Sequence, residues 1–511
     1  MGATSEKTPL GKGIDHRDRV RRPRVNRVIY LVFVFALFSF ASLLIGGRHV
    51  SIWSVFKGNT EDGNQYRDTE LTSESSVFQI KHIFHHGIGP DYYRVHKRLD
   101  VTPKKAKDLE VDFRASAHQT VVDENNFEET LLVLDWPHRL ENSSPWTVEL
   151  KAKAAASKSK AFRLKQRHRP DFIESYLWSS IVASEREQEV RESALEWDEE
   201  EVEVPDVQDL DTVLSLAIMS SNAYVKDKEK SDNSEDWIDL GDTWVPDKHH
   251  KNLGYGWKND SLRGHVFVSK DNRTVVIAIK GTSTPGLLGS GSKDTVANDK
   301  LNDNLLFLCC CARVSYLWSP VCDCYQKTYT CGQNCIELEL LRKDRYYQAT
   351  LDLYRNVTAI YPPENTTIWV TGHSMGGSLA SLLGRTFGLP AVAYEAPGEM
   401  LAVKRLHLPQ PPGLPKEWEN IWHFGNTGDP IYMGVCNGVS SSCNTAGYAM
   451  ETACHTGKQC VYDVVTDKGW SVSLLNHRIH TVIDDVITDY NTTPPCVDQA
   501  PCHDCFNWRY V

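Results

Sequence analysis

The sequence predicts an α/β domain with a mostly parallel sheet, preceded by a single N-terminal transmembrane helix. Three observations carry that expectation. From about residue 206 to 490, strand-like and helix-like runs alternate; a glycine-flanked serine sits at a strand-to-helix junction; and residues 28–45 form one uncharged apolar run. Strands that alternate with helices pair in parallel and are covered on both faces. With 511 residues the chain can hold a large core and further modules. A net charge of −11 argues against nucleic acid as a general partner, and a hydrophobic share of 41% is that of a globular chain.

The apolar run "VIYLVFVFALFSFASLLI" is long enough to cross a bilayer once. Lys7, Lys12, Arg17, Arg19, Arg21, Arg22, Arg24 and Arg27 precede it, whereas Arg48 is almost alone just behind. The positive-inside bias then keeps the N-terminus cytosolic and places the rest in the lumen as a type II, single-pass protein. A cleaved signal peptide is disfavoured by the long basic leader and the lack of a small-x-small cleavage site. The expected organisation is a basic tail (1–27), a signal anchor (28–45), a polar accessory region poor in strands (46–205), a catalytic domain (206–490) and a cysteine-containing tail (491–511). Within the accessory region, the basic run at 151–169 and the acidic run at 195–211 read as solvated surface or linker. Contact of the basic run with anionic headgroups is the second reading.

All fourteen cysteines lie beyond residue 308, as disulfides in an oxidising lumen would require. The repeated C-x-x-C pairs of a zinc ribbon are absent, so no metal is expected. Glycosylation sequons at Asn142, Asn259, Asn272, Asn356, Asn365 and Asn491 all fall on the lumenal side.

Residues 211–225 read as a helix capped by Asp211. "HVFVSK" and "TVVIAIKG" flank the turn "DNR" as a hairpin. A helix over 343–361 places Tyr346, Leu353, Tyr354, Val357, Ile360 and Tyr361 on one face, with Asp352, Arg355 and Asn356 off it. A short buried strand over 367–371 and a helix over 376–385 then enclose "GHSMG".

In a G-x-S-x-G elbow the serine occupies a strained turn where side chains two residues away would collide with neighbouring strands. Gly372 and Gly376 remove those collisions and present Ser374 as a nucleophile. A hydroxyl needs a base and an orienting carboxylate, expected downstream in the order Asp, His. "IWHFGNTGDPIYMG" ends a strand at a turn bearing Asp429. In "SLLNHRIHTVIDDVI" the stripe Ile479, Val482, Ile483, Val486 and Ile487 places His477 at the loop junction and His480 partway round the helix. His477 is the expected base and His480 the alternative. Backbone N–H groups of Met375, at the helix start, and of Thr282, after the strand "VIAIKG", are the expected oxyanion donors.

"IAIKGTS", "GHSMGGSLASLLG" and "GNTGDPIYM", in that order, resemble the class 3 lipases of the α/β-hydrolase superfamily. "IKHIFHHG", "FRLKQRHRPDFIESYL" and "DKLNDNLLFLCCCARVSYLW" resemble the fungal autophagy-related vacuolar lipases within it. The resemblance implies an α/β-hydrolase fold and hydrolysis of phospholipids or triacylglycerols, membrane and neutral lipids being the substrates, with no cofactor. It also implies delivery through endosomal multivesicular bodies to the vacuole, where autophagic bodies are disintegrated. Phosphoinositide binding is suggested for relatives and maps to no residue here. Another serine esterase or peptidase of the same fold, and an inactive anchored adaptor, are the competing readings. Residues 283–318 are read either as a lid or as disulfide-stapled core.

Overall fold

A computed structural model describes residues 76–88, 94–102, 150–169, 171–183, 185–224, 237–240, 259–283, 295–312, 318–438 and 440–511. The strands begin with β1 (Ser76–Ile88), β2 (Arg94–Asp100), β3 (Leu150–Ala154), β4 (Ala156–Leu164), β5 (Trp197–Pro205) and β6 (Trp237–Asp239). They continue with β7 (Asn259–Ser269), β8 (Thr274–Ile279), β9 (Tyr325–Lys327), β10 (Thr330–Cys331) and β11 (Thr367–His373). The last are β12 (Ala391–Tyr394), β13 (Ile421–Asn426), β14 (Lys458–Tyr462), β15 (Cys496–Asp498) and β16 (Arg509–Tyr510). Among the described residues the main sheet runs β15–β14–β13–β12–β11–β8–β7–β1–β2–β6, with β3 paired to β1.

The expected fold class is corrected on two points. The sheet is α/β-hydrolase-like but mixed and mostly antiparallel. Within it, among the described residues, only β8, β11, β12, β13 and β14 pair in parallel. The pairs β7–β8, β1–β7, β1–β2, β1–β3, β2–β6 and β14–β15 are antiparallel. A short turn such as that between β7 and β8 can only return the chain antiparallel, whereas parallel neighbours need a long crossover. Second, no helix among the described residues is long and apolar enough to cross a membrane. The span expected over 28–45 lies outside the described residues.

The region read as poor in strands supplies β1, β2 and β3 to the main sheet. β1 hides its strand character because it buries polar groups: His85 and His86 are as enclosed as Ile83 and Phe84. The basic and acidic runs pair with each other as β4 and β5, from Ala156 opposite Pro205 to Leu164 opposite Trp197. Arg163 and Arg167 meet Glu200 at 3.1 and 2.6 Å, and Lys165 meets Glu196 at 3.3 Å. The two runs are therefore a charge-matched pair of strands rather than linker.

Helix α1 (Phe172–Val182) precedes α2 (Leu210–Asn222), whose cap is Asp209, accepting from Thr212 N–H, rather than Asp211. Asp211 instead stands in the first turn, where a negative charge suits the helix dipole. After α3 (Val296–Leu306) come α4 (Tyr346–Ile360) and α5 (Met375–Phe387). Strand β8 alternates between two cores: Val275, Ile277 and Ile279 pack with Leu351, Val357, Leu379 and Leu383. Val276 and Ala278 pack on the other side with Leu216, Trp369, Phe424 and Ile483. Period-two alternation thus buries both faces, with α4 and α5 on one and α2 on the other. Asp352 of α4, expected off the buried face, is buried, because Arg94 (3.0 Å) and His96 (2.8 Å) of β2 pair with it.

All fourteen cysteines form seven disulfides: 309–505, 310–331, 311–322, 324–335, 436–443, 454–502 and 460–496. Leu305 to Ala312 are buried core, so of the two readings of residues 283–318 the apolar "LLFLCCCA" part follows the stapled one. The Gly-rich stretch 284–294 lies outside the described residues. Cys309–Cys505 closes the longest of these loops, at a sequence separation of 196. Replacing both cysteines by serine is expected to lower stability by about 2–5 kcal/mol. Chemical denaturation checks this, and an unchanged midpoint would show that other contacts hold the tail.

Candidate active site

The elbow is built by crowding. Ser374 has φ 57° and ψ −133° between β11 and α5, a conformation that side-chain-bearing residues rarely adopt. A Cβ on Gly376 would lie 2.2 Å from Ile279 O at the end of β8, as the elbow argument requires. One on Gly372 would strike the helix instead, 2.4 Å from Gly376 O. Ser374 N–H donates to Tyr394 O (2.9 Å) and Gly377 N–H to Ser374 O (2.9 Å), fixing the turn.

Three chain segments converge there. Asp429 follows β13 on a turn, and His477 ends a 3₁₀ turn, Leu474–His477. His477 Nδ1 lies 2.6 Å from Asp429 Oδ2 and Nε2 lies 2.9 Å from Ser374 Oγ. Because Asp429 can only accept, Nδ1 carries the hydrogen, and Nε2 is left as the acceptor for the serine O–H. Ser374 is 4% exposed, and His477 and Asp429 are fully buried. His480 stands on the following helical segment, and the ring that meets Ser374 is that of His477. Burial, with Arg478 adding to it, brings His480 down to about 4. The stripe Ile479, Val482, Ile483, Val486 and Ile487 is buried as expected, although 482–487 winds as a π-helix.

The loop after β8 packs directly on the elbow. A Cβ on Gly281 would come within 2.3 Å of His373 O and 3.2 Å of Ser374 Cβ, so Thr282 is one residue from the nucleophile. Its hydroxyl donates to Asp303 Oδ2 (2.5 Å), and Ser283 N–H donates to Asp299 Oδ2 (2.8 Å). Burial pushes the Asp303 carboxyl up to about 8, opposed by the Thr282 bond and reinforced by Asp299. Met375 opens α5, in the first turn, where helix N–H groups have no intrahelical acceptor. Thr282 thus follows the loop residue that packs on Ser374, and Met375 follows Ser374 in the chain.

Several residues of this neighbourhood escaped the sequence reading. His373 donates or accepts at both nitrogens, to His477 O (2.8 Å) and Tyr224 Oη (2.8 Å). Burial, then the nearby His477, holds its imidazole well below the ordinary range, so it is neutral, with Nε2–H donating to the carbonyl. Lys280 pairs with Asp299 at 2.9 Å and donates to Gly281 O (2.9 Å). The signal for His373 was present inside "GHSMG", and Lys280 interrupts an apolar strand end. Of the sequons, Asn272, Asn365 and Asn491 are exposed, whereas Asn356 is half-buried and its Nδ2 donates to Asp352 O (2.9 Å). Asn259 opens β7, and Asn142 lies outside the described residues.

A family model described as Lipase (class 3) matches residues 319–388, a span that contains the elbow and stops before Asp429 and His477. The lipase ATG15 of Meyerozyma guilliermondii is 62% identical over 87% of this chain and 79% of its own. The lipase ATG15 of Debaryomyces hansenii is 56% identical over 96% of this chain and 82% of its own. The chain belongs to the ATG15 lipase family. Among solved structures, the Lip2 lipase of Yarrowia lipolytica is similar at 18% identity and a TM-score of 0.21, over 40% of this chain and 61% of that one.

In this ATG15-family chain the loop bearing Thr282 is held by a buried ion pair, Lys280–Asp299, both members essentially without exposure. Lys280→Met strips Asp299 of its counter-charge in a dry site. A loss of about 3–5 kcal/mol in unfolding free energy is expected, read by denaturant titration. A loss below about 1 kcal/mol would mean that water reaches the pair.

Proposed function

We propose that this ATG15-family protein is a vacuolar, autophagic lipase that hydrolyses carboxylic ester bonds of phospholipids and triacylglycerols by acyl transfer at Ser374. The observation that carries the reading is the continuous hydrogen-bonded chain from Ser374 through His477 to Asp429 at a strained elbow. A hydroxyl at neutral pH is a poor nucleophile without such a base.

Ser374 Oγ attacks the ester carbonyl while His477 Nε2 takes its proton, and Asp429 stabilises the imidazolium. The oxyanion is met by the N–H groups of Met375 and Thr282; the Thr282 hydroxyl, engaged with Asp303, holds its residue in place. His477 then protonates the leaving alcohol, and water, activated by the same imidazole, releases the fatty acid. Catalytic roles for Ser374, Asp429 and His477 follow from this scheme. Lumenal residence is supported by the seven disulfides, which persist in oxidising compartments; passage through endosomes and multivesicular bodies is the route this reading implies. Exposed Asn272, Asn365 and Asn491 are the best placed glycan acceptors.

The test is fatty-acid release from phosphatidylcholine vesicles and from triolein by the full chain and by Ser374→Ala. The variant is expected to lose activity on both by roughly a thousandfold or more. Equal activity would overturn the nucleophile assignment, and cleavage of short esters alone by the parent would make the protein a small-ester esterase.

A further inference from the structure

A second buried acid lies behind Asp429, and the acyl-transfer scheme does not use it. Glu395 directly follows β12, is wholly buried, and has φ 45°, a left-handed conformation costly for any side-chain-bearing residue. Its N–H donates to Phe424 O (2.8 Å), which holds it there. Asn426 donates to it twice, from Nδ2 to Oε1 (2.7 Å) and from the backbone N–H to Oε2 (3.2 Å). Asn426 Nδ2 also donates to Asn476 O (3.1 Å), immediately before His477. Asp429 N–H donates to Asn426 O (3.1 Å), so the two wholly buried carboxyls of Glu395 and Asp429 flank the same asparagine and face one another.

Ionised carboxylates have no hydrogen to donate, so two buried carboxyls that face one another must hold a proton between them. Each carboxyl accepts two bonds, but Asp429 accepts from His477 Nδ1–H (2.6 Å), the group that becomes a cation in the relay, whereas Glu395 accepts only from the neutral amides of Asn426, which favours the charge on Asp429 and the proton on Glu395. Burial, then the neighbouring Asp429 charge, pushes the Glu395 carboxyl well above the ordinary carboxylate range, in the same sense. We propose that Glu395 is a positioning residue for the relay, donating a hydrogen bond to Asp429 and so limiting the negative charge that Asp429 turns toward His477. The imidazolium is then stabilised less than by a bare aspartate, and the free base survives to lower pH, as a hydrolase of an acidic lumen would need. This rests on the relay reading given above.

The other ionisable groups facing the pair are accounted for. Tyr432, pushed well up by burial and by Glu395, Glu399 and Asp429, keeps its proton and donates to His423 O (3.2 Å). His455 Nε2 is engaged with Ala396 O (2.9 Å), and burial, with His423 beside it, brings it down to about 4. Glu399 pairs with His423 at 3.1 Å. On the far side of His477 stands neutral His373.

The test compares Glu395→Ala and Glu395→Gln in the full chain, using a soluble short-chain ester across pH. Removing the donor in Glu395→Ala should move the acid limb of kcat/KM upward by about one pH unit, the low end of what a neighbouring group achieves. Glu395→Gln keeps an N–H donor and should leave the limb in place whatever its kcat. An unmoved limb in Glu395→Ala, or a downward move in Glu395→Gln, as loss of a charge would give, overturns the proposal. Should Glu395→Ala fail to fold, infrared spectra at neutral pH decide. The parent, and equally Ser374→Ala, should carry a protonated-carboxyl C=O component that Glu395→Gln lacks, and its absence from the parent refutes the assignment. If Ser374→Ala stays active while that component is present, the relay reading fails and the Glu395 proton stands.

Discussion

The site depends on one steric constraint: three backbones meet at the elbow with no room for a Cβ at 281, 372 or 376. Glycine at these positions lets the end of β8, the end of β11 and the start of α5 come within contact distance. Ser374 is thereby forced into its positive-φ turn, and its Oγ stands clear of the sheet. Strain of this kind costs on the order of 1–3 kcal/mol and persists only where surrounding packing over-determines it. Here the flanking strands are buried on both faces, and the turn's own N–H is tied to Tyr394 O across the sheet. Packing, rather than the serine itself, therefore fixes the direction of the hydroxyl.

Electrostatics takes over where sterics ends. His477, Asp429, Glu395 and Asp303 are all removed from water, so every donor and acceptor among them must find a partner. The bonds run from Ser374 to His477 and from His477 to Asp429, and, beside them, from Asn426 to Glu395 and from Asn426 to the backbone next to His477. Both ring nitrogens of His477 are thereby engaged, which holds the imidazole in one orientation. The loop bearing Thr282 is held in the same manner, by Asp299 and Asp303 of α3, so that helix positions one side of the site although it carries none of the reacting atoms.

What could be read from sequence was local and periodic. The elbow, the turn with Asp429 and the stripe that begins just after His477 each lie within a dozen residues, and their glycine, proline and aliphatic spacing is a local signal. The hairpin of β7 and β8 was legible for the same reason. The antiparallel half of the sheet was not, because β1 and β2 bury His85, His86, Arg94 and His96 where a pattern of hydrophobicity expects apolar residues. Asp352 was misplaced by the same rule, since its partners lie on β2 some 250 residues earlier in the chain. Pairing of the basic and acidic runs depends on strands β4 and β5 finding each other, information that neither run carries alone. Glu395 has no motif; its only trace is a charge ending the apolar strand "AVAY".

The two halves of the molecule are stabilised by different means, which bears on the site between strands. Beyond residue 308 the chain is cross-linked by seven disulfides, one of them joining the paired strands β14 and β15 at Cys460 and Cys496. Before it, β1, β2, β4 and β5 have no cysteine and rely on ladder hydrogen bonds, buried ion pairs and the charge-matched pairing of β4 with β5. Disulfides act chiefly on the unfolded state, whereas buried ion pairs specify geometry more than they add stability. The elbow, Asp429 and His477 all belong to the cross-linked half. A fluctuation that loosened β2 from α4 would thus begin at the Arg94–Asp352–His96 pairing, whereas the hydrogen bonds of the relay are all made between residues of the cross-linked half.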